Sequence, residues 1–390
     1  MKLSLGANGR RRKTAGLTGL AVLVLAAASF FLLRPGGERT EWRPGTPFAR
    51  EHVKIGIIYL TDVAGETSGY TYAHDLGLRG MQKAIGLRDD QIIRKITVPD
   101  TDSNATAHAI RECIAEGANI IIATAQGYAE VCEKLAGEYP KVVFSQLYAD
   151  SRNDVNLTNY FGRAYQARYL SGILAGLRTR TNKIGYVAAM GKDNSQVTRG
   201  LNAFALGVER VNREAGVYVK VTHRWVYPEG EFEAASQLIE AGCDVIAQHC
   251  DTPAPQLAAG KAGVWGIGYN TDMRSDAGTV ITSVLWNWNV YYSRLVQDVI
   301  DGVFTTEPYL GGLNEGLVDL SPFNERLMPA GAAEVMAAER KRIESGEFDV
   351  FEGVMKTNDG RTVGEEGRRL SDAEITGGLN WYYRNVIEVQ

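Results

Sequence analysis

Two apolar runs in this sequence end in side chains suited to reading the edge of a small molecule. His249 and Asp251 follow CDVIAQH, and Asn270 and Asp272 follow VWGIGY. Carboxylates accept hydrogen bonds, while a carboxamide or a neutral imidazole both donates and accepts. Between the runs, DTPAP reads as a proline-bearing loop and QLAAGKAG as a small-residue helix closed by Gly263. Strand, loop, helix, strand is the unit of an open parallel sheet, where ligands lie beyond the carboxyl ends of the strands. Asp62, in YLTDVAG after the first predicted strand, is another acceptor at such an end. A capping role in its own loop explains it equally well.

Aromatic residues gather at the same kind of position. Tyr70 and Tyr72 follow the first strand, Tyr128 follows the third, and Trp286 and Trp288 follow the strand TSV. Core or hinge packing accounts for any one of them. As a set they suit a flat ring that stacks on aromatic faces and is held by its polar edge. Trp288, Tyr291 and Tyr292 continue into a helix and read as structural. His74 in YAHD has an aspartate beside it, but no serine or cysteine with the spacing of a nucleophile elbow accompanies the pair. The glycine-rich pieces lack phosphate-loop and dinucleotide patterns. The five histidines and four cysteines are not spaced as a zinc site. The sequence therefore advertises binding, without a catalytic group, cofactor or metal.

The elements that must position these residues alternate strand and helix from Val53 onward. Buried strands such as VKIGIIYL, ANIIIATA, KVVFSQL and KIGYVAAM are separated by helices, and VYVKVTHRWV reads as one further strand. This alternation predicts an α/β fold with parallel sheets and right-handed crossovers. Two runs open on a K-I-G strand and carry a helix ending Glu-Gly or Ala-Gly before a buried strand, AEGANIIIATA and EAGCDVIAQH. Two doubly wound lobes facing one another would enclose a cleft, a favoured place for a ligand.

Before the folded part, Lys2 and the basic run Arg10 to Lys13 precede an apolar stretch of about 17 residues from Leu17 to Leu33. Residues 1–37 read as a signal peptide or an N-terminal membrane anchor, and 38–52 as a polar linker. The positive flank stays inside, which places the rest outside the cytoplasmic membrane. No cysteine follows the apolar run, so there is no lipoprotein attachment point. Cys113, Cys132, Cys243 and Cys250 fit either disulfides or buried thiols. The net charge of −4 gives no reason to expect nucleic acid as a partner.

The segments GYTYAHDLG, NYFGRAYQARYLSGILAG, RGLNAFALGVERVN, CDVIAQHCDTPAP, IGYNTDM, TSVLWNWNVYY and GEFDVFEGVMKTNDG resemble the basic membrane protein family. These are substrate-binding receptors of ABC importers with the type I periplasmic-binding-protein fold. The resemblance covers about Val53 to Gln390. It implies two lobes joined by a hinge: 53–160 with about 286–316, and 161–285 with about 317–390. It further implies a monomer, a membrane permease as partner and a purine nucleoside or base as ligand. The site residues it suggests are Asp62, Tyr70, Tyr72, Gln126, Tyr128, Asp251, Asn270, Asp272 and Trp286. Nucleoside-binding relatives carry a lysine where Trp286 stands, so the exchange favours a free base such as adenine. Tyr70 stands where relatives have tryptophan, Gln126 where they have phenylalanine, and Asp193 and Asn194 add polarity at another strand end. These departures point to a more polar heterocycle. A membrane-anchored sensing module of the same fold is the alternative reading.

Overall fold

The structure, a computed structural model, describes residues 42–148 and 150–389. The leader expected over 1–37 and the first residues of the 38–52 linker lie outside the described residues.

Two sheets organise the chain. The first contains β1 (Ile55–Ile58), β2 (Ile92–Lys95), β3 (Ile120–Ala123), β4 (Val143–Leu147), β5 (Leu157–Gly162) and β11 (Tyr309–Gly311), in the spatial order β11-β5-β4-β3-β1-β2. All its pairings are parallel. The second contains β6 (Lys183–Ala188), β7 (Gly216–Val221), β8 (Val245–His249), β9 (Trp265–Asn270), β10 (Val280–Trp286), β12 (Val318–Leu320) and β15 (Val386–Glu388). Its order is β12-β10-β9-β8-β6-β7-β15, parallel except for β12 against β10. In both sheets the first strand in sequence lies between the second and the third. The two K-I-G strands, β1 and β6, thus hold equivalent central places, as the internal similarity predicts.

These strands are apolar because both faces are covered. β1, β3, β4 and β8 are buried along their whole length, as parallel strands between two helical layers must be. The covering helices are α1 (Tyr70–Ile85), α2 (Ser103–Ala115), α3 (Ala129–Glu138), α4 (Ala164–Arg178), α5 (Ser195–Val211), α6 (Pro228–Glu240), α7 (Ala254–Ala262) and α8 (Trp288–Asp301). α4 and α5 pack backbone to backbone, because a Cβ on Gly172 would meet the Phe204 carbonyl oxygen at 2.0 Å. Three crossings join the lobes: after β5, after β10, and between β11 and β12. Past them come α9 (Ala332–Glu344), the hairpin of β13 (Met355–Lys356) and β14 (Thr362–Val363), and α10 (Asp372–Gly377).

Two local readings change. VYVKVTHRWV is not one strand: β7 stops at Val221, and His223 adopts a left-handed φ of 58° that ends the ladder. DTPAP is not wholly loop: α7 starts at Ala254, with Pro253 as its N-cap and Pro255 in the first turn, where a missing N–H costs nothing. The four cysteines are buried free thiols; burial pushes Cys113 and Cys132 up to about 12.

Candidate ligand-binding site

Beyond the carboxyl ends of the strands, between the sheets, lies a cavity of about 580 Å³. The C-terminal lobe builds one wall from the ends of β7, β8 and β9. The turn at His223 carries Trp225 over the end of β8, where the Trp225 carbonyl accepts from the Asp251 N–H at 2.8 Å. Glu231, fully buried in the first turn of α6, ties this wall together. Its carboxylate accepts from the Tyr227 N–H at 2.8 Å and from the Thr252 hydroxyl. Gln248 donates to the Thr252 carbonyl at 2.7 Å, and Gln256 donates to Gln248 at 3.0 Å. Apart from Gln256 Oε1, which has no partner among the described residues, these buried groups are paired, and such pairing favours a single geometry.

Asp251 is half-buried in that wall and faces the cavity. Asn270, at the end of β9 with φ of 68°, donates from Nδ2 to Asp251 Oδ1 at 3.0 Å. Asn270 Oδ1 is buried without a partner. Burial pushes the Asp251 carboxyl up to about 7, against the opposing Asn270 bond and with help from the Glu231 charge. Tyr269 completes the wall. Its hydroxyl accepts from Trp286 Nε1 at 3.1 Å, and the Arg168 guanidinium lies 4.0 Å from its ring centre, a cation–π contact.

The N-terminal lobe supplies Thr61, Glu66, Thr67, Ser68 and Tyr70 after β1, Asp100 after β2, and Ala125 and Gln126 after β3. Tyr70 donates its hydroxyl to the Thr124 carbonyl, and Thr61 bonds Thr71 at 2.8 Å. The segment 67–69 also reaches across to the other lobe. Thr67 donates to Asp276 at 3.1 Å, and the Gly69 N–H donates to Thr271 Oγ1 at 3.3 Å. Gly69 has φ of 108°, and a Cβ there would stand 2.7 Å from the Asp251 carbonyl oxygen. Only glycine closes this clasp.

Of the residues expected at the site, the structure brings Tyr70, Gln126 and Asp251 to the cavity. Asn270 stands directly behind Asp251. The others do not line it. Asp62 is exposed and accepts from the Ala64 N–H at 3.0 Å, the capping alternative. Tyr72 lies half-buried beneath Arg79, 5.7 Å from ring centre to guanidinium. Tyr128 is fully buried in the lobe core, its hydroxyl donating to the Val98 carbonyl. Asp272 caps a short 3-10 turn and holds Arg274 at 2.6 Å. Trp286 is buried against Trp288, stacked with ring centres 4.6 Å apart and planes nearly parallel. His74 stacks on the other face of Trp288 at 4.6 Å; its Nδ1 meets the Tyr292 hydroxyl at 2.6 Å, and burial lowers its pKa to about 3. It is a neutral member of an aromatic layer.

Sequence reasoning missed Trp225, Tyr269, Glu66, Asp100 and Gln196 as lining residues. The usable signal for Trp225 was His223, a residue type tolerant of left-handed φ, just after the strand. Tyr269 lies in β9, one residue before Asn270, and needed only the strand-end argument already applied to Asn270. Among the described residues no cluster of His, Cys, Asp and Glu could hold a metal ion, and no helix is long and apolar enough to cross a membrane.

A cavity at the facing strand ends of two doubly wound lobes joined by three crossings is the architecture that two-lobed solute-binding proteins use. The chain belongs to the PnrA-like ABC transporter substrate-binding protein family, whose model matches residues 54–346. It is 29% identical over 343 residues to a purine-binding protein of Brucella abortus, covering 88% of this chain and 95% of that one. It is 32% identical over 311 residues to a Haloferax volcanii protein named for ABC-transporter glucose binding, covering 79% and 76%. An ABC transporter solute-binding protein from Conexibacter woesei superposes with a TM-score of 0.64 at 21% identity, covering 76% of this chain and 98% of that one. That last likeness speaks for the fold alone.

Proposed function

We propose that this protein is an extracytoplasmic receptor that closes its lobes over a purine-like ligand and delivers it to a membrane permease. The observation that carries this reading is the composition of the cavity. Three aromatic residues, Tyr70, Trp225 and Tyr269, share its lining with the acceptor Asp251 and the amides Gln126, Asn194 and Gln196. Rings for a flat face and polar groups for its edge are what a nucleobase needs. The name of the Brucella relative supports the same ligand class; that of the Haloferax relative adds glucose as the competitor to test. No lysine lines the cavity among the described residues, which favours a free base over a nucleoside, since no cation is offered to a ribose. Ligand binding would shift an open–closed equilibrium in favour of the clasped form. The N-terminal segment would hold the receptor to the membrane where it is not cleaved.

The test is thermal unfolding of the purified full chain, first unfolded and refolded to strip carried ligand, against bases, nucleosides, glucose and unrelated solutes. A ligand of the folded state raises the midpoint by mass action. A rise with adenine and little with adenosine supports the base reading, and a rise with adenosine alone removes it. A rise with glucose and no purine overturns the ligand class.

A further inference from the structure

The charges around the cavity are one-sided. Its lining holds three carboxyl groups, Glu66, Asp100 and Asp251, and among the described residues no lysine, arginine or histidine. The cations of the C-terminal lobe stand outside that lining. Arg168 is fully buried behind Tyr269, its Nη1 donating to the Gln248 carbonyl at 2.6 Å, its Nε and Nη2 without a partner among the described residues, and its guanidinium 4.0 Å from the Tyr269 ring centre. Arg199 is buried over the rings of Tyr148 and Phe161, 5.2 Å from each centre. Arg274 is held by Asp272. His249 is kept neutral by burial and by the two buried arginines.

Asp251 is the focus of this field. One oxygen takes the Asn270 amide, and among the described residues no hydrogen bond occupies the other. Its neighbour Glu231 is a fully buried carboxyl, with its oxygens already engaged by Tyr227 and Thr252. The unpartnered Asn270 Oδ1 adds a further acceptor beside the pair. Burial raises the carboxyls of Asp251, Glu66 and Glu231 alike, so each gains from a donor and none from another anion.

We infer that the cleft selects its ligand by charge: it takes a neutral or cationic solute through an amine-bearing edge seated on Asp251, and refuses solutes carrying phosphate or carboxylate. This rests on the purine reading only for the shape of the ring. A phosphate brought among Glu66, Asp100 and Asp251 would meet repulsion with no guanidinium or ammonium in the described lining to offset it. An exocyclic amine would supply the missing donor to the free Asp251 oxygen. The receptor would thus serve salvage of bases or nucleosides already stripped of phosphate, and a phosphate-removing reaction must precede it wherever the source is a nucleotide.

The experiment is calorimetric binding of adenine, hypoxanthine, cytosine, adenosine and adenosine monophosphate to the refolded full chain, its D251N variant and its E66Q variant. The expected result is that adenosine monophosphate binds at least about a hundredfold more weakly than adenosine. D251N should lower affinity for the amine-bearing base about tenfold or more, while leaving hypoxanthine little changed. E66Q, at the partly exposed mouth, should relieve the rejection of the monophosphate several-fold. Cytosine binding that is lost in D251N upholds the inference even where purines fail to bind, so the two readings can fall separately. Equal affinity for adenosine and its monophosphate, or amine-bearing ligands indifferent to D251N, overturns it while purine binding stands.

Discussion

The two walls of the cleft are held by different means. The C-terminal wall is set from behind: Glu231, Gln248, Gln256 and Asn270 bind the loops carrying Trp225, Asp251 and Thr252 through buried hydrogen bonds. The N-terminal wall includes the segment after β1, partly exposed, whose residues 67–69 make their bonds to the opposite lobe. On the proposed reading, one wall is preorganised and the other completes itself on closure. A receptor that must both recognise and release needs this division.

The strongest way to break the contrast is Glu231→Ala. Two donors lose a buried acceptor at once, and stability should fall by about 3 kcal/mol in chemical denaturation. A loss near zero would mean the wall is not held from behind. Gly69→Val acts on the other wall. Its branched side chain would strain the backbone at φ of 108° and collide with the Asp251 carbonyl, so ligand affinity should drop about thirtyfold and the unliganded midpoint should fall as well. Small-angle scattering should show the variant open with ligand present, and a compact liganded form would contradict the clasp.

The acidity of the C-terminal wall sharpens the comparison by its sign. Because burial raises Asp251 from its ordinary 3.8 to about 7, the folded, unliganded protein binds that proton more tightly than the unfolded chain. Its contribution to stability is therefore greatest below about pH 4 and declines as pH rises towards 7. Glu231 and Glu66 act in the same direction, and the buried neutral His74 and His249 in the opposite one. The difference between D251N and the parent isolates one group: the variant should gain relative stability as pH rises from 4 to 7. A flat difference would place Asp251 in water. Smaller effects follow at the edges of each wall. Trp286→Phe removes the bond to Tyr269 and should cost about 1 kcal/mol of stability with less than a tenfold change in affinity. Thr67→Ala, which removes an exposed bond across the lobes, should weaken binding by about 0.5 kcal/mol.

The sheets were legible because parallel strands covered on both faces must be apolar along their length, as in VKIGIIYL and KVVFSQL. Asp251 was legible as a strand-end residue, and so was the place of Tyr70. The failures have one physical cause. Sequence gives the end of a strand but not which way the next side chain turns. Trp286 ends β10, yet its ring lies on Trp288 rather than in the cavity. Tyr128 begins a helix beside the cavity, yet its ring faces the lobe core. Trp225 was hidden because the left-handed turn at His223 leaves the residue pattern of a strand unbroken.

Trp225 also offers the most direct test of the central account, because it lines the cavity while Trp286 and Trp288 are packed away from it. Tryptophan fluorescence of the refolded full chain should be titrated with adenine, alongside the Trp225→Phe and Trp286→Phe variants. A saturating change that survives Trp286→Phe and disappears in Trp225→Phe is the predicted result. A change that persists undiminished in Trp225→Phe would place the ligand elsewhere and contradict the account.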